Sequence, residues 1–424
     1  MLQVKNIREN KDLMKERLAK RGWDTAKTDV LDQIISVDDT RKKMQTLSDA
    51  ELAKINTLSA QIGDLFKAGK REEAENLKQG IADIKATNES YLSQLKDAES
   101  QLEDLLFTVP NIPHESVPLG NTDEDNEVHQ AWGKELPVVD GKPHWDLGTQ
   151  YNILDFELGN KITGAGFPVF RGKGSRLQRA LINFFLDEST GAGYEEIVPP
   201  LLVNEATARA TGQLPDKDGQ MYYCERDDLY LLPTAEVPIT NIYRGNIVDE
   251  ADLPIKLTGY TPCFRREAGS YGTDVKGLNR VHQFDKIEII QVTKPENSYQ
   301  TLTEMLSHVE QLLVKLELPY RILRLCGGDL GYTSALTFDF EVYAAAQQKW
   351  LEVSSVSNFE TFQSNRLKLR YKDNSGKKQL AHTLNGSALA LARIIVALLE
   401  NHQTPGGIVI PEALRPYTGF DIIN

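Results

Sequence analysis

From Leu77 onward the apolar positions fall at Leu77, Ile81 and Ile84, then Tyr91, Leu95, Ala98, Leu102 and Leu105, with polar Asn88 in phase. The steps alternate between four and three residues, the seam of a helix packed along one partner. An earlier stretch, Ile34, Val37, Met44, Ile55, Leu58, Ile62 and Leu65, keeps that phase through polar Arg41, Ser48 and Glu51. Between the two, Lys67-Ala68-Gly69-Lys70 offers a turn with a glycine available for positive φ. The pattern predicts an antiparallel two-helix coiled-coil arm within residues 1–110. About forty residues per helix at ~1.5 Å each makes it on the order of 60 Å long. Periodicity alone is equally that of a dimerisation or spacer coiled coil.

The prolines of Val109-Pro110-Asn111-Ile112-Pro113 end the arm, and an acidic, Gly- and Pro-containing stretch over 111–150 reads as a linker. From 151 to 424 the pattern changes. Gly174–Ser189 reads as a helix. Tyr194–Val198, Ile255–Phe264, Val281–Val292, Phe338–Ala344 and Trp350–Val356 read as strands, and Ser387–Leu399 as a buried, Ala/Leu-rich helix. Short loops join several strands without regular βαβ alternation, and neither GxGxxG nor GxxxxGK[ST] occurs. The expectation is an α+β body built on an antiparallel β-sheet flanked by helices, not a Rossmann or P-loop fold.

Composition narrows the function. A net charge of −13 argues against nonspecific coating of nucleic acid, which needs basic surface. Residues 1–110 are nearly balanced, with 18 Lys/Arg and 20 Asp/Glu, so an RNA-contacting surface fits this segment better than the more acidic remainder. No apolar run suits a membrane span and the N-terminus is unlike a signal peptide, which points to the cytoplasm and no membrane partner. Cys224, Cys263 and Cys326 are widely spaced, so neither a disulfide framework nor zinc is expected.

Candidate chemistry concentrates in Thr261-Pro-Cys-Phe-Arg265-Arg266-Glu267-Ala-Gly-Ser and in Arg280-Val281-His282-Gln-Phe284-Asp-Lys286-Ile-Glu288. Two β-rich runs flank a loop containing Gly269, Gly272 and Gly277, a long hairpin. Arg265 and Glu267 are placed to alternate to one face at a strand end, where a guanidinium can clamp a phosphate and a carboxylate can accept from an amino group. Phe284, Lys286 and Glu288 share a second i, i+2 face. On charges alone, a salt-bridged surface hairpin accounts for the same residues.

Phe264-Arg265-Arg266-Glu267 followed by His282-Gln283-Phe284-Asp285-Lys286-Ile287-Glu288 resembles motif 2 of class II aminoacyl-tRNA synthetases in its seryl form. Gly193-Tyr-Glu-Glu-Ile-Val-Pro-Pro200 resembles motif 1, the dimer element of that class. Asn385-Gly386-Ser387-Ala388-Leu-Ala-Leu-Ala392-Arg393 resembles motif 3. Thr234-Ala235-Glu236 and Glu352-Val353-Ser354-Ser355 resemble seryl-specific segments. Five pieces in order behind a helical hairpin cover essentially the whole chain.

The resemblance implies a homodimeric ligase that activates L-serine with ATP and transfers it to the 3′ end of serine tRNA, with selenocysteine tRNA as a further acceptor. It implies catalytic roles for Arg265, on the α-phosphate and the substrate carboxylate, and for Arg393, on the γ-phosphate. Serine is expected at Thr234, Ala235, Glu236, Arg265, Glu288, Asn385 and Ser387. ATP is expected at Arg265, Arg266, Glu267, Val281, Phe284, Glu352, Val353, Ser354, Ser355 and Arg393, with Mg²⁺ on Glu352 and Ser355. A site built to bond a hydroxyl can reject alanine by ~10⁴-fold or more. Ala388 and Ala392 stand where many relatives have glycine.

The same resemblance sends the arm to the elbow and long variable arm of the tRNA, with Lys42, Lys43, Lys54, Lys67, Lys70, Arg71 and Lys78 as candidate phosphate contacts. Two rivals remain at this point. One is a ligase that loads an amino acid on a carrier protein, which lacks the arm and uses zinc. The other is a synthetase-like RNA-binding protein, expected to lack Arg265, Glu267, Arg393 or Glu352.

Overall fold

The computed structural model describes residues 1–133, 141–216, 219–267 and 276–424. Gly269 and Gly272 lie outside the described residues. The chain forms two compact units, one of residues 1–19 and 23–110, the other of residues 20–22 and 111–424. Among the described residues no helix is long and apolar enough to cross a membrane.

In the first unit, α1 (Val4–Ala19) precedes two 38-residue helices, α2 (Val30–Lys67) and α3 (Arg71–Thr108). Gly69, at φ +75°, makes the turn between them. Leu31, Ile34 and Met44 of α2 and Ala74, Ile81, Leu95, Ala98 and Leu102 of α3 bury the seam. At its end Leu106 replaces Leu105 as the buried residue, the drift expected when 3.6 residues per turn meet a 3.5-residue repeat. Beyond Ser48 the α2 seam positions, from Ile55 to Leu65, are only half-buried.

The in-phase polar positions of the two helices meet each other: Ser48 Oγ donates to Asn88 Oδ1 at 2.7 Å, both buried. A polar pair in a seam fixes register, and it is expensive only when broken. Asn88→Ala is therefore expected to destabilise the hairpin by about 1–2 kcal/mol. The double variant Ser48→Ala/Asn88→Leu should recover that loss in a far-UV circular dichroism melt. A silent single variant would show that the pair is not satisfied as described.

The second unit is built on an eight-stranded sheet. Its strands in chain order are β1 (Glu127–Trp132), β2 (Glu195–Glu196), β3 (Ile255–Phe264), β4 (Gln283–Thr293), β5 (Tyr320–Arg324), β6 (Leu336–Ala344), β7 (Lys349–Asn358) and β8 (His382–Ala390). Their spatial order is β1-β5-β6-β7-β8-β4-β3-β2. All neighbours are antiparallel except the short β2, which runs parallel to β3. The stretch expected as a linker contributes β1 and the helix α4 (His144–Gln150). Every residue of β1 is exposed, so this edge strand carries no apolar alternation to read.

Helices α5 (Gly172–Gly191), α7 (Ser298–Lys315) and α9 (Leu391–Asn401) cover one face of the sheet; α6 (Glu236–Thr240) and α8 (Thr361–Leu367) are shorter. In α5, Leu177, Leu181, Phe184 and Phe185 repeat at helical spacing and are buried in the same core as Ile287 and Ile289 of β4 and Phe340 of β6. The expected helix Ser387–Leu399 begins only at Leu391, because Ser387–Ala390 belong to β8. Both halves of that run are buried, so period alone cannot separate strand from helix there. The strand expected at Tyr194–Val198 shortens to the two residues of β2 before Pro199 and Pro200.

Candidate active site

Sheet register decides which side chains meet. Residues directly opposite on paired strands point to the same face. Glu288 stands opposite Ser387, and Ile290 opposite Asn385, so Glu288, Ser387 and Asn385 share one face. Ser357 lies opposite Asn385, which brings Ser355 of β7 to that face as well. In a regular strand Glu352 would point the other way, being three residues from Ser355. A bulge between Phe340 and Glu341 leaves Val353 as the extra residue, with Asp339 opposite Ser355 and Glu341 opposite Glu352. Asp339 and Glu341 alternate normally, so the bulge turns Glu352 and Ser355 to the same side. The side chains of Val353 and Ser354 go to the core, where Ser354 Oγ donates to the Ser387 carbonyl at 2.6 Å.

At one end of this face lies a buried polar cluster. Glu288 is fully buried; Lys286 Nζ sits 2.6 Å from its Oε2, and Thr234 Oγ1 donates to the same oxygen at 3.3 Å. Its Oε1 is buried with no partner. Glu236 opens α6 beside it; Gln363 of α8 donates from Nε2 to its Oε1 at 2.6 Å, and the Gln363 Oε1 accepts from Thr383 Oγ1 at 2.9 Å. Burial, reinforced by the nearby Glu288, pushes the Glu236 carboxyl up to about 7. Burial also raises Glu288, against the pull of Lys286. Ala235 is enclosed in a small apolar cluster with Ile239, Leu257 and Ile290, so only its main chain can face this pocket.

Arg265 joins the cluster to its neighbour. The β3–β4 pairing ends at Gln283 opposite Phe264, so Arg265 and Glu267 stand beyond the strand. Strand alternation does not place them, and Glu267 has a left-handed backbone at φ +49°. Arg265 is held by main-chain bonding to His282 (N to O, 2.9 Å) and by its Nε on the Pro233 carbonyl at 3.3 Å. Its guanidinium lies 5.3 Å from the centroid of the Phe284 ring. Arg266 turns away, over Tyr222. Glu267 is paired with Arg280 at 3.2 Å.

Phe284 also lines a cavity of about 90 Å³ with Phe167, Val281, Leu278 and Ala392. Aromatic and aliphatic side chains alternate there with the polar Gln178, Gln283 and Asp285, a lining that suits the faces and edge of a planar base. Of Ala388 and Ala392, Ala392 faces this cavity and Ala388 is wholly buried in the core. Arg393, two residues into α9, donates from Nε to the Asn279 carbonyl at 2.9 Å and from Nη1 to the Glu352 carbonyl at 2.7 Å.

Sequence reasoning left out Gln363, Asn279 and Asp339. Asp339 stands in the alternating run of β6, and that alternation is the only sequence signal for it. Its carboxyl, bonded to Ser355, is held well above the carboxylate range by burial and then by Glu352, and its Oδ1 is buried without a partner. Among the described residues no three or more His, Cys, Asp or Glu side chains are grouped to hold a metal by themselves.

The family profile described as seryl-tRNA synthetase N-terminal domain matches residues 1–113, and that of the tRNA synthetase class II core domain (G, H, P, S and T) matches residues 222–402. A serine–tRNA ligase of Salinibacter ruber is 48% identical over 424 residues, covering 99% of this chain and 98% of the relative. The crystal structure of seryl-tRNA synthetase from Pyrococcus horikoshii complexed with ATP superposes with a TM-score of 0.91 at 34% identity, covering 100% of this chain and 99% of that one. A cytoplasmic serine–tRNA ligase from Naegleria fowleri in complex with AMP gives 0.87 at 27% identity, with coverage of 100% and 99%. With both domains matched and near half of its residues shared end to end, this chain belongs to the seryl-tRNA synthetase family of class II aminoacyl-tRNA synthetases.

Proposed function

We propose that the polar face of the sheet activates L-serine with ATP and passes it to serine tRNA. The observation that carries this reading is the position of Arg265, near the buried Glu236–Glu288 cluster on one side and on the Phe284 ring of the cavity on the other. Serine fits the pocket. Its ammonium group meets Glu236 and Thr234, its hydroxyl meets Glu288 with Asn385 and Ser387, and its carboxylate meets Arg265. An apolar side chain would leave the buried Glu288 oxygen unsatisfied, which supports selection for a hydroxyl.

With adenine against Phe284 and the Arg265 guanidinium on the α-phosphate, a serine carboxylate oxygen attacks the α-phosphorus and pyrophosphate leaves. Arg265 and Arg393 stabilise charge where it develops, so placement does the work that a proton-transfer residue does elsewhere. In the second step a hydroxyl at the tRNA 3′ end attacks the acyl carbon and AMP leaves.

Mg²⁺ fits the oxygen donors of Glu352 and Ser355, which the bulge at Val353 turns to one side, beside the unpartnered Asp339 oxygen. Two protein ligands suffice for an ion that takes its remaining ligands from phosphates and water. Bound there, it would neutralise phosphate charge. The apolar residues after β2, with Val198 87%, Leu201 41% and Leu202 45% exposed, support a homodimer formed through this segment. The same reading places the enzyme in the cytoplasm with its tRNA.

The test uses acidity. A carboxyl raised to about 7 is neutral below that pH and cannot receive an ammonium group as an ion pair. Its charged surroundings are Glu288, Lys286 and Arg265. Serine binding should therefore strengthen as pH rises through 7, with kcat/KM for serine falling about tenfold per unit well below it. Glu236→Gln should abolish that dependence and raise the serine KM. A flat profile from pH 6 to 8 in the wild type would remove Glu236 from the ammonium position.

A further inference from the structure

We infer that His144 and Glu400, which have no direct part in the proposed reaction, are positioning residues for Arg393 and thereby set the affinity for ATP; this rests on the placement of the ATP phosphates at Arg393. Both side chains are fully buried. His144 opens α4, in the stretch that read as a linker, and Glu400 lies near the end of α9. Glu400 Oε1 accepts from His144 Nδ1 at 2.8 Å, from the His144 main-chain N–H at 3.1 Å and from Gln347 Nε2 at 2.8 Å. Its Oε2 accepts from the main-chain N–H groups of Ala346 and Gln347, both at 3.2 Å. Five donors converge on one side chain, and only a carboxylate offers acceptors on both oxygens.

From this anchor two arms reach the segment 277–279. His144 Nε2 accepts from Leu278 N at 2.9 Å, which puts the ring proton on Nδ1, facing Glu400. Gln347 Oε1 accepts from Asn279 Nδ2 at 2.7 Å. A Cβ on residue 277 would stand 2.1 Å from His144 Nε2, and its φ is +70°, so both the close ring and the backbone require the glycine found there. The carbonyl of Asn279, pinned from both sides, is the acceptor for Arg393 Nε. With Nη1 on the Glu352 carbonyl and 3.7 Å from the Glu352 carboxylate, two main-chain oxygens fix the plane of the guanidinium. Leu278 and Val281 also line the aromatic cavity, so the same anchor holds that wall.

Gln347→Leu, at the half-buried edge of the network, removes both amide bonds at nearly constant volume. Glu400→Gln replaces one acceptor oxygen by a donor. The expected result for both folded variants is an ATP KM raised about tenfold in serine-dependent pyrophosphate exchange, with the serine KM unchanged. A purely structural role would move both constants together, and that outcome overturns the inference, as does an unchanged ATP KM in Gln347→Leu. Arg393→Ala is measured alongside. If it too leaves the ATP KM unchanged, the reading of the ATP site has failed; if it raises the ATP KM while Gln347→Leu does not, only the positioning role has.

Discussion

Arg265→Ala is expected to lower serine-dependent ATP–pyrophosphate exchange by about 10³-fold, with the protein still folded. The side chain makes few bonds that support the fold: one to the Pro233 carbonyl and a ring contact with Phe284. Its loss removes the cation placed between the carboxylate cluster proposed for serine and the cavity proposed for adenine. Negative charge accumulates there as carboxylate meets phosphate, and a preorganised guanidinium costs no reorganisation at that moment. Arg265→Lys should recover little, because an ammonium group cannot bond two oxygens in one plane. A thermal melt separates this from unfolding. Near-normal exchange in Arg265→Ala would place the adenylate elsewhere.

The second large effect is expected from the arm, and it should leave activation intact. Excising residues 51–85 beyond the Ser48–Asn88 layer, with a short glycine-rich turn in their place, shortens α2 and α3 in register. Exchange should stay close to wild type while charging of serine tRNA falls about 10²-fold, on the proposal that the excised surface meets the RNA backbone. Lys42, Lys54, Lys67, Lys70 and Lys78 each pair with an acid on their own helix or at its start, namely Asp38, Glu51, Asp64, Glu73 and Glu75. Most of these pairs are solvent-exposed and weak, so a phosphate can take the lysine without a large penalty. Unimpaired charging after excision would leave the arm a spacer, as its periodicity alone permits.

How much of this was legible in the sequence depends on the range of the forces involved. The arm follows from its 3–4 spacing, including the polar step at Asn88, because a seam is written locally on each helix. The long β3–β4 pair was readable for the same reason, as was the helix around Leu177–Phe185. What failed was local pattern without alternation: the fully exposed β1, and the run from Ser387 to Ala390, buried at three successive residues. The site was legible chiefly through family resemblance. Nothing in Glu352-Val-Ser-Ser355 announces a bulge, yet without it Glu352 would face away from Ser355. Gln363, 127 residues from Glu236, and His144, 256 residues from Glu400, act through contacts that only the folded chain creates.

The most direct measurement is ATP–pyrophosphate exchange with the wild-type protein against each of the twenty amino acids in turn. Exchange with serine alone is the predicted result, since the proposed site of Thr234, Glu236, Glu288, Asn385 and Ser387 would satisfy one small hydroxyl and one ammonium group. Strong exchange with alanine or glycine, or none with serine, would contradict it.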